Sequence, residues 1–330
     1  MNYAEAIIVG AGPCGLSAAI ELKNIGIEPL IIEKHNLVNS IYRYPTNLQF
    51  FSTPELLEIG NVPFTTPNEK PYRHEALVYY LKVAERYQLK INAYEEAIAI
   101  TKQSDCTFLV TTRKTSGETV IYSSPYVIDA TGYFDHPNML GIPGEDLPHV
   151  SHYFQEAHPY AGMDVVIIGC NNSAVDASLE LLRVGARVTI VHRGPVISEH
   201  IKPWVRPIFD SMVAKGLITM NLSSQVTTIE PDHVTIAAAE GQYIERLPCR
   251  FVLALTGFRP DRRMLEQTGV QLQEDREKPV FDPATMQTNI KGLYIAGVIA
   301  SGRNANEIFI ETGRGHGKLI AQHIQAQRTL

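Results

Sequence analysis

The chain has 330 residues, is 45% hydrophobic and 19% charged, and carries a formal net charge of −6. That length allows about two domains, and the acidic balance excludes a general polyanion binder such as a nucleic-acid protein, which needs clustered Lys and Arg. The cysteines at 14, 106, 170 and 249 form neither CxxC nor a zinc spacing, and no apolar run approaches the ~18 residues of a membrane span.

The first residues, MNYAEAIIVG, show no secretory pattern, so a reducing cytoplasm is the expected setting. Residues 4–9 read as a short buried strand bounded by glycine. Gly10, Gly12 and Gly15 follow in G-x-G-x-x-G, then an apolar helical stretch, then a second strand, EPLIIEK, with Glu33 near its end. Strand, glycine turn, helix, strand and acid is the order a dinucleotide site requires. The glycines permit a tight turn, close approach of the backbone to a pyrophosphate and close packing of the helix, while Glu33 accepts hydrogen bonds from a ribose. Gly10, Gly12, Pro13, Cys14, Gly15, Glu33, Lys34 and, in the next loop, Tyr42 are the candidate contacts of this first site.

Residues 40–73 are rich in proline and aromatics (Tyr42, Tyr44, Phe50, Phe51) and read as a long ordered loop. The stretch HEALVYYLKVAERYQL predicts a helix with Leu77, Tyr80, Leu81 and Ala84 on its core face. Alternating segments from Ala97 to Asp129 predict a small β-meander, with Cys106 in or beside a strand and buried. A Gly- and Pro-rich crossover follows the strand that ends in DATG.

The fingerprint recurs at Asp164–Ile168, with Gly169, Asn171 and Ala174 in the three fingerprint positions, a helix to about Val184 and the strand RVTIVHR. Asn171 replaces the middle glycine. Where the first copy has Glu33, this one has His192 followed by Arg193, a cationic pair suited to a 2′-phosphate, so NADPH is expected here rather than NADH. Gly169, Asn171, Asn172, Ser173, Ala174, His192 and Arg193 are the candidate contacts, with Lys202 and Arg206 as further cations that read equally as solvated surface charge. Cys170 reads as a small residue filling this second turn and Cys249 as core. Two tandem sites imply two dinucleotides, FAD at the first and NADPH at the second. The expected fold is α/β, two Rossmann-like domains with the second inserted in the first: residues 1–145 and 256–330 for FAD, 146–255 for NADPH.

The motifs GAGPCG, DATG, GCNNSAVDA, VHR, LTGFRPD and GLYIAGV make the chain resemble the two-dinucleotide flavoprotein reductases over essentially its whole length, on the thioredoxin-reductase scaffold. The resemblance implies flavin contacts at Thr131 and Gly132 and at Gly297, Val298, Ala305 and Asn306, and hinges near Gly144–Pro148 and Leu255–Pro260. It places His316 near the flavin ring, as a proton donor or a packing residue. Two departures stand out: Val298 occupies the position of an acid, and SHYFQEAHPYAG stands where thioredoxin reductases carry CxxC.

GPCGLSAAIELK, YPTNLQFFSTPELLEIG, NNSAVDASLELL, VTIVHRG and NANEIFIETGR resemble the bacillithiol-disulfide reductase (YpdA) family. This resemblance implies NADPH-driven, flavin-mediated reduction of a low-molecular-weight disulfide, a bacilliredoxin-like protein partner, a homodimer or higher homo-oligomer, and Cys14 as the redox cysteine. Two other activities stay open, a ferredoxin- or flavodoxin-type NADPH reductase and a flavin monooxygenase, although the glycine that monooxygenases place two residues after Phe154 is missing. For Cys14, a place at a helix N-terminus favours the thiolate; the alternative is a small residue that fills the loop.

Overall fold

The computed structural model describes residues 2–238, 244–274, 277–303 and 305–328. They fall into two compact units, one of Met1–Arg43, Leu48–His136 and Phe258–Leu330, the other of Tyr44–Asn47 and Pro137–Gly257.

The first unit is built on five parallel strands in the spatial order Leu293–Ile295, Val127–Asp129, Ala6–Val9, Pro29–Glu33 and Lys90–Ala93. All four residues of the central strand, Ala6–Val9, are buried, as expected of a parallel strand covered on both faces. Helix Pro13–Asn24 leaves directly from the glycine turn, with Pro13 at its first position, where a missing N–H costs nothing. Two glycines make this corner possible. At Gly10, whose φ is +107°, a Cβ would lie 2.5 Å from the Ala130 carbonyl oxygen, and at Gly15 it would lie 2.1 Å from the carbonyl oxygen of Gly10. The helix therefore starts in contact with the sheet.

The β-meander forms as expected from Glu95–Lys102, Phe108–Lys114 and Thr119–Ser124, with Asn2–Tyr3 added in parallel at one edge. Its buried polar side chains are satisfied: Thr112 donates to Glu95, and the half-buried Asn92 of the neighbouring strand Lys90–Ala93 donates through Nδ2 to Glu95 and to the Tyr122 hydroxyl, each at 3.0 Å. Cys106 is not core. It is exposed at a turn, at φ +69°, because Asp105 accepts from the Thr107 N–H and draws the chain into a tight reversal there.

Helix Arg73–Arg86 buries Ala76, Tyr79, Tyr80, Val83 and Ala84, a face rotated from the expected one, and leaves Leu81 exposed. Two tyrosines set the rotation by donating to the preceding loop, Tyr79 to the Val62 carbonyl at 2.8 Å and Tyr80 to that of Leu57 at 2.9 Å. The loop of residues 40–73 contains two single-turn helices, Asn39–Tyr42 and Pro54–Leu57; Phe50 is buried, whereas Tyr42 and Phe51 are exposed.

The second unit repeats the architecture. Its five parallel strands run in the order Ile218–Asn221, Arg187–Val191, Asp164–Ile168, Phe251–Ala254 and Val150–Ser151, beside an antiparallel trio of Ser224–Ile229, His233–Ala238 and Ile244–Pro248. In both units the fingerprint strand is central, with the next two strands to one side. Cys170 and Cys249 are buried in the two apolar cores of this unit. The unit's long segment begins at Pro137, ahead of the expected residue 146, where Glu145 accepts from the Leu140 and Gly141 N–H groups and the Pro143 carbonyl accepts from Ile229. Among the described residues no helix is long and apolar enough to cross a membrane.

The corner geometry predicts different costs for two neighbouring substitutions. Gly15→Ala forces a methyl into the Gly10 backbone and should lower stability by about 1–3 kcal/mol or more. Gly12→Ala, whose added Cβ meets nothing within 4 Å, should cost less than about 1 kcal/mol as a helix-cap change. Urea-unfolding midpoints of the two variants measure the difference.

Candidate functional site

The first glycine loop has the shape of an anion cradle. Gly12 is extended at φ −74° and ψ 173° and caps a 12-residue helix with no side-chain cap, which leaves the first-turn N–H groups for a ligand. A Cβ on Gly12 would point into open space, so a phosphate can approach the backbone. Glu33 stands at the adjacent strand end with its Oε2 accepting from Ala11 N at 2.7 Å and its Oε1 from His35 N at 2.9 Å. Burial raises its pKa while these two N–H groups hold it down. Each oxygen keeps a further lone pair for a ribose hydroxyl. The loop and the carboxylate fit the pyrophosphate and ribose of a dinucleotide. Lys34 pairs with Glu96 at 3.4 Å. Tyr42 is exposed, with the Arg73 guanidinium over its ring.

The turn after Val127–Asp129 carries Thr131 and Gly132, the latter at φ +76°. Asp129 is the residue that reading by motif passed over, although it opens DATG. Its Oδ1 accepts from Thr131 N at 3.0 Å and Thr131 Oγ1 at 2.7 Å, which sets the turn beside Gly10. Its Oδ2 is buried with no hydrogen-bond partner, and burial pushes the carboxyl up to about 6.

The third contributor is the turn Gly297–Ala300, with Val298 half-buried in it. Gly297 N donates to His316 Nδ1 at 3.1 Å, so the ring proton resides on Nε2, and burial holds the imidazole below its ordinary pKa and neutral. Ala305 lies in the single turn Ala305–Glu307; the side chain of Asn306 lies outside the described residues.

Cys14 meets this turn. Added Cβ atoms on Gly297 and Gly313 would lie 3.0 and 2.8 Å from its Sγ. Cys14 as a residue is half-buried, but its thiol points inward, and burial pushes it up to about 12. The expected thiolate is not the resting form, because enclosure against the two glycines outweighs the field of the helix N-terminus.

The second loop has the same corner: Gly169 stands at φ +108°, and a Cβ there would lie 2.6 Å from the Leu255 carbonyl oxygen, the counterpart of Gly10 against Ala130. Asn171 caps helix Asn172–Arg183 by accepting from Asn172 N. Ser173 is exposed and Ala174 buried at its start. Asn172 is engaged within the protein, its Nδ2 donating to the His200 carbonyl and its Oδ1 accepting from Lys202 N, each at 2.9 Å. Lys202 Nζ pairs with Asp176 at 2.7 Å and Arg206 with Asp210 at 2.8 Å. His192 is half of the expected cationic pair, but burial and then the neighbouring Arg193 charge hold its pKa down. Among the described residues, the cation at this strand end at neutral pH is therefore the exposed Arg193. Burial pushes Cys170 up to about 11, in keeping with a turn filler.

Residues 7–297 match the family of pyridine nucleotide-disulphide oxidoreductases. The chain is 51% identical over 324 residues to the bacilliredoxin reductase Bdr of Bacillus subtilis, covering 98% of each chain. It is 30% identical to a ferredoxin–NADP reductase of Ignicoccus hospitalis, covering 89% of this chain and 90% of that one. The solved bacillithiol disulfide reductase Bdr (YpdA) of Bacillus cereus superposes with a TM-score of 0.96 at 47% identity, covering 99% and 100% of the two chains. With a carboxylate at the strand end of one glycine-turn sheet and an arginine at that of the other, the chain is an oxidoreductase that uses FAD and NADPH, and it belongs to the pyridine nucleotide-disulphide oxidoreductases and within them to the bacillithiol-disulfide reductase (YpdA) family.

Proposed function

We propose that the protein reduces the disulfide of a low-molecular-weight thiol, bacillithiol disulfide above all, at the expense of NADPH, with a bacilliredoxin-type protein as a redox partner. The observation that carries this reading is the thiol of Cys14, set into the first glycine loop and against the Gly297 turn in a chain with no CxxC. In this reading the first unit holds FAD, through Gly10, Gly12, Pro13, Cys14, Gly15, Glu33, Thr131, Gly132, Gly297 and Val298. The second holds NADPH, through Gly169, Asn171, Ser173, Ala174 and Arg193. The enzyme acts as a cytoplasmic homo-oligomer.

When bound, the cofactor pair supplies the two electrons that a disulfide consumes. The chain supplies the sulfur chemistry. Cys14 Sγ, on losing its proton, attacks one sulfur of the substrate, forms a mixed disulfide and expels the other half as a thiolate that takes up a proton. Two electrons and two protons then cleave the mixed disulfide, releasing the second thiol and restoring the Cys14 thiol. Glu33 orients the adenosine end, and Gly12 leaves room for the pyrophosphate. Arg193 places a charge-assisted donor at the 2′-phosphate. Asp129 fixes the Thr131 turn through Oδ1.

Cys14→Ala is expected to keep bound FAD and slow NADPH oxidation by oxygen, yet lose NADPH consumption driven by bacillithiol disulfide. A variant that consumed NADPH with that disulfide at the original rate would make Cys14 a loop filler. Ferredoxin offered as the acceptor tests the other activity found among the relatives, and its efficient reduction would displace the disulfide.

Arg193→Glu should raise the KM for NADPH by roughly ten- to a hundredfold, the loss of a charge-assisted hydrogen bond, and leave that for NADH nearly unchanged. His192→Gln should change either by less than about threefold, since a neutral ring contributes no charge. Steady-state kinetics with the two nucleotides measure both. Thioredoxin as sole acceptor should be reduced poorly, because no CxxC is present to exchange with a protein disulfide.

A further inference from the structure

Three pieces of backbone enclose the Cys14 sulfur: the start of helix Pro13–Asn24, the turn Gly297–Ala300 and the end of the short helix Ile310–Gly313. Neither the turn nor the short helix has room for a side chain at the contact. A Cβ on Gly313 would lie 2.8 Å from Sγ and 3.0 Å from Gly297 Cα, and one on Gly297 would lie 3.0 Å from both Sγ and Cβ of Cys14. The C-terminal wall is fastened to the first helix: Ser17 Oγ donates to the Arg314 carbonyl at 2.7 Å, and a Cβ on Gly317 would lie 2.6 Å from Ala18 Cα. Arg314 adds a hydrogen bond to the Glu55 carbonyl at 2.8 Å. The Gly297 wall has a different fastening. Its turn runs through φ +81°, and its buried N–H is taken by a side chain, His316 Nδ1 at 3.1 Å, from the first residue of helix His316–Arg328.

We propose that His316 is a positioning residue, which by accepting the Gly297 N–H holds the wall of the seat in which the Cys14 thiol rests and so keeps that thiol enclosed and slow to react. The proposal deepens the reading of Cys14 as the redox thiol and rests on it for its catalytic meaning, though not for its geometry. Without the Nδ1 acceptor, a buried N–H is left unpaired and the turn must move to find water. Any such movement opens one side of the seat. The thiol is then better solvated, its thiolate is less disfavoured, and reagents reach it. The neutral tautomer with its proton on Nε2 is the one that does this work, and burial of the ring favours it.

The test is the rate at which iodoacetamide alkylates each cysteine of the flavin-loaded full chain, followed by mass spectrometry. In the unaltered protein Cys14 should react at least about tenfold more slowly than the exposed Cys106, since the thiolate is the reacting form. His316→Phe keeps a ring but offers no acceptor, and should speed Cys14 by roughly tenfold, the scale of one lost buried hydrogen bond. His316→Asn places Oδ1 where Nδ1 was and should restore the slow rate. Gly313→Ala puts a methyl 2.8 Å from Sγ and 3.0 Å from Gly297 Cα and should speed Cys14 with the His316 acceptor unchanged.

Cys170 and Cys249, buried in the other unit, report general loosening. If they accelerate with Cys14 in His316→Phe, Gly313→Ala decides. The proposal is overturned if Cys14 of the unaltered protein reacts as fast as Cys106, if neither His316→Phe nor Gly313→Ala speeds it, or if His316→Asn reacts as fast as His316→Phe. Failure of the functional reading is seen elsewhere: a fully active Cys14→Ala enzyme would remove the catalytic meaning while the alkylation rates still measured the seat.

Discussion

Backbone touching backbone at the end of a central parallel strand is the constraint on which the rest depends. Gly10 passes the Ala130 carbonyl so closely, and Gly15 the Gly10 carbonyl, that neither position has space for a methyl group. Because the strand and helix meet without side chains between them, the helix N-terminus opens directly over the strand ends, where open α/β sheets take their ligands. Glu33, Thr131 and Gly297 then fall around one loop, since their strands lie in the same sheet on either side of Ala6–Val9. The second unit reaches the same geometry with Gly169 against the Leu255 carbonyl. Side chains around the two corners differ in charge: the buried carboxylate of Glu33 stands at the first and the exposed guanidinium of Arg193 at the second.

Two opposing fields act on the sulfur of Cys14. The partial positive charge of a helix N-terminus favours a thiolate by about 1 kcal/mol or somewhat more. Removal from water acts the other way and is larger, so the resting group is a thiol with its pKa near 12. A cysteine placed in this way is stable toward casual oxidation, because the thiolate, not the thiol, is the nucleophile that attacks oxidants and disulfides. Reactivity then has to come from a change in what surrounds the sulfur, and the Gly297 N–H, taken by the His316 imidazole, is the point of the wall that a side chain holds.

Much of this was legible in the chain itself. The glycine spacing, the terminal Glu33 and the tandem repeat are local patterns whose meaning does not depend on distant residues, and the strands and helices around them stand where the patterns put them. Charge states were not legible. His192 beside Arg193 looks like a cationic pair until partial burial neutralises the imidazole, and Cys14 looks activated until Gly297 and Gly313, some 280 to 300 residues later in the chain, close on it. Asp129 was in plain view in DATG, but an orphaned Oδ2 is visible only once the strand is packed. The helix Arg73–Arg86 shows the same limit in the core: hydrophobicity favoured Leu81, whereas the hydroxyls of Tyr79 and Tyr80 had partners in the preceding loop and turned their own face inward.

The short segment Tyr44–Asn47 belongs with residues 137–257, where Thr46 N donates to the Gln155 carbonyl at 2.8 Å. The second unit is therefore not one continuous insertion, and the chain enters it twice. A fragment cut at 137 and 257 would lose that strap and leave the Gln155 carbonyl to solvent. Gene-level shuffling of the nucleotide module, which the repeated sheet order invites, has to carry this four-residue piece along or do without it.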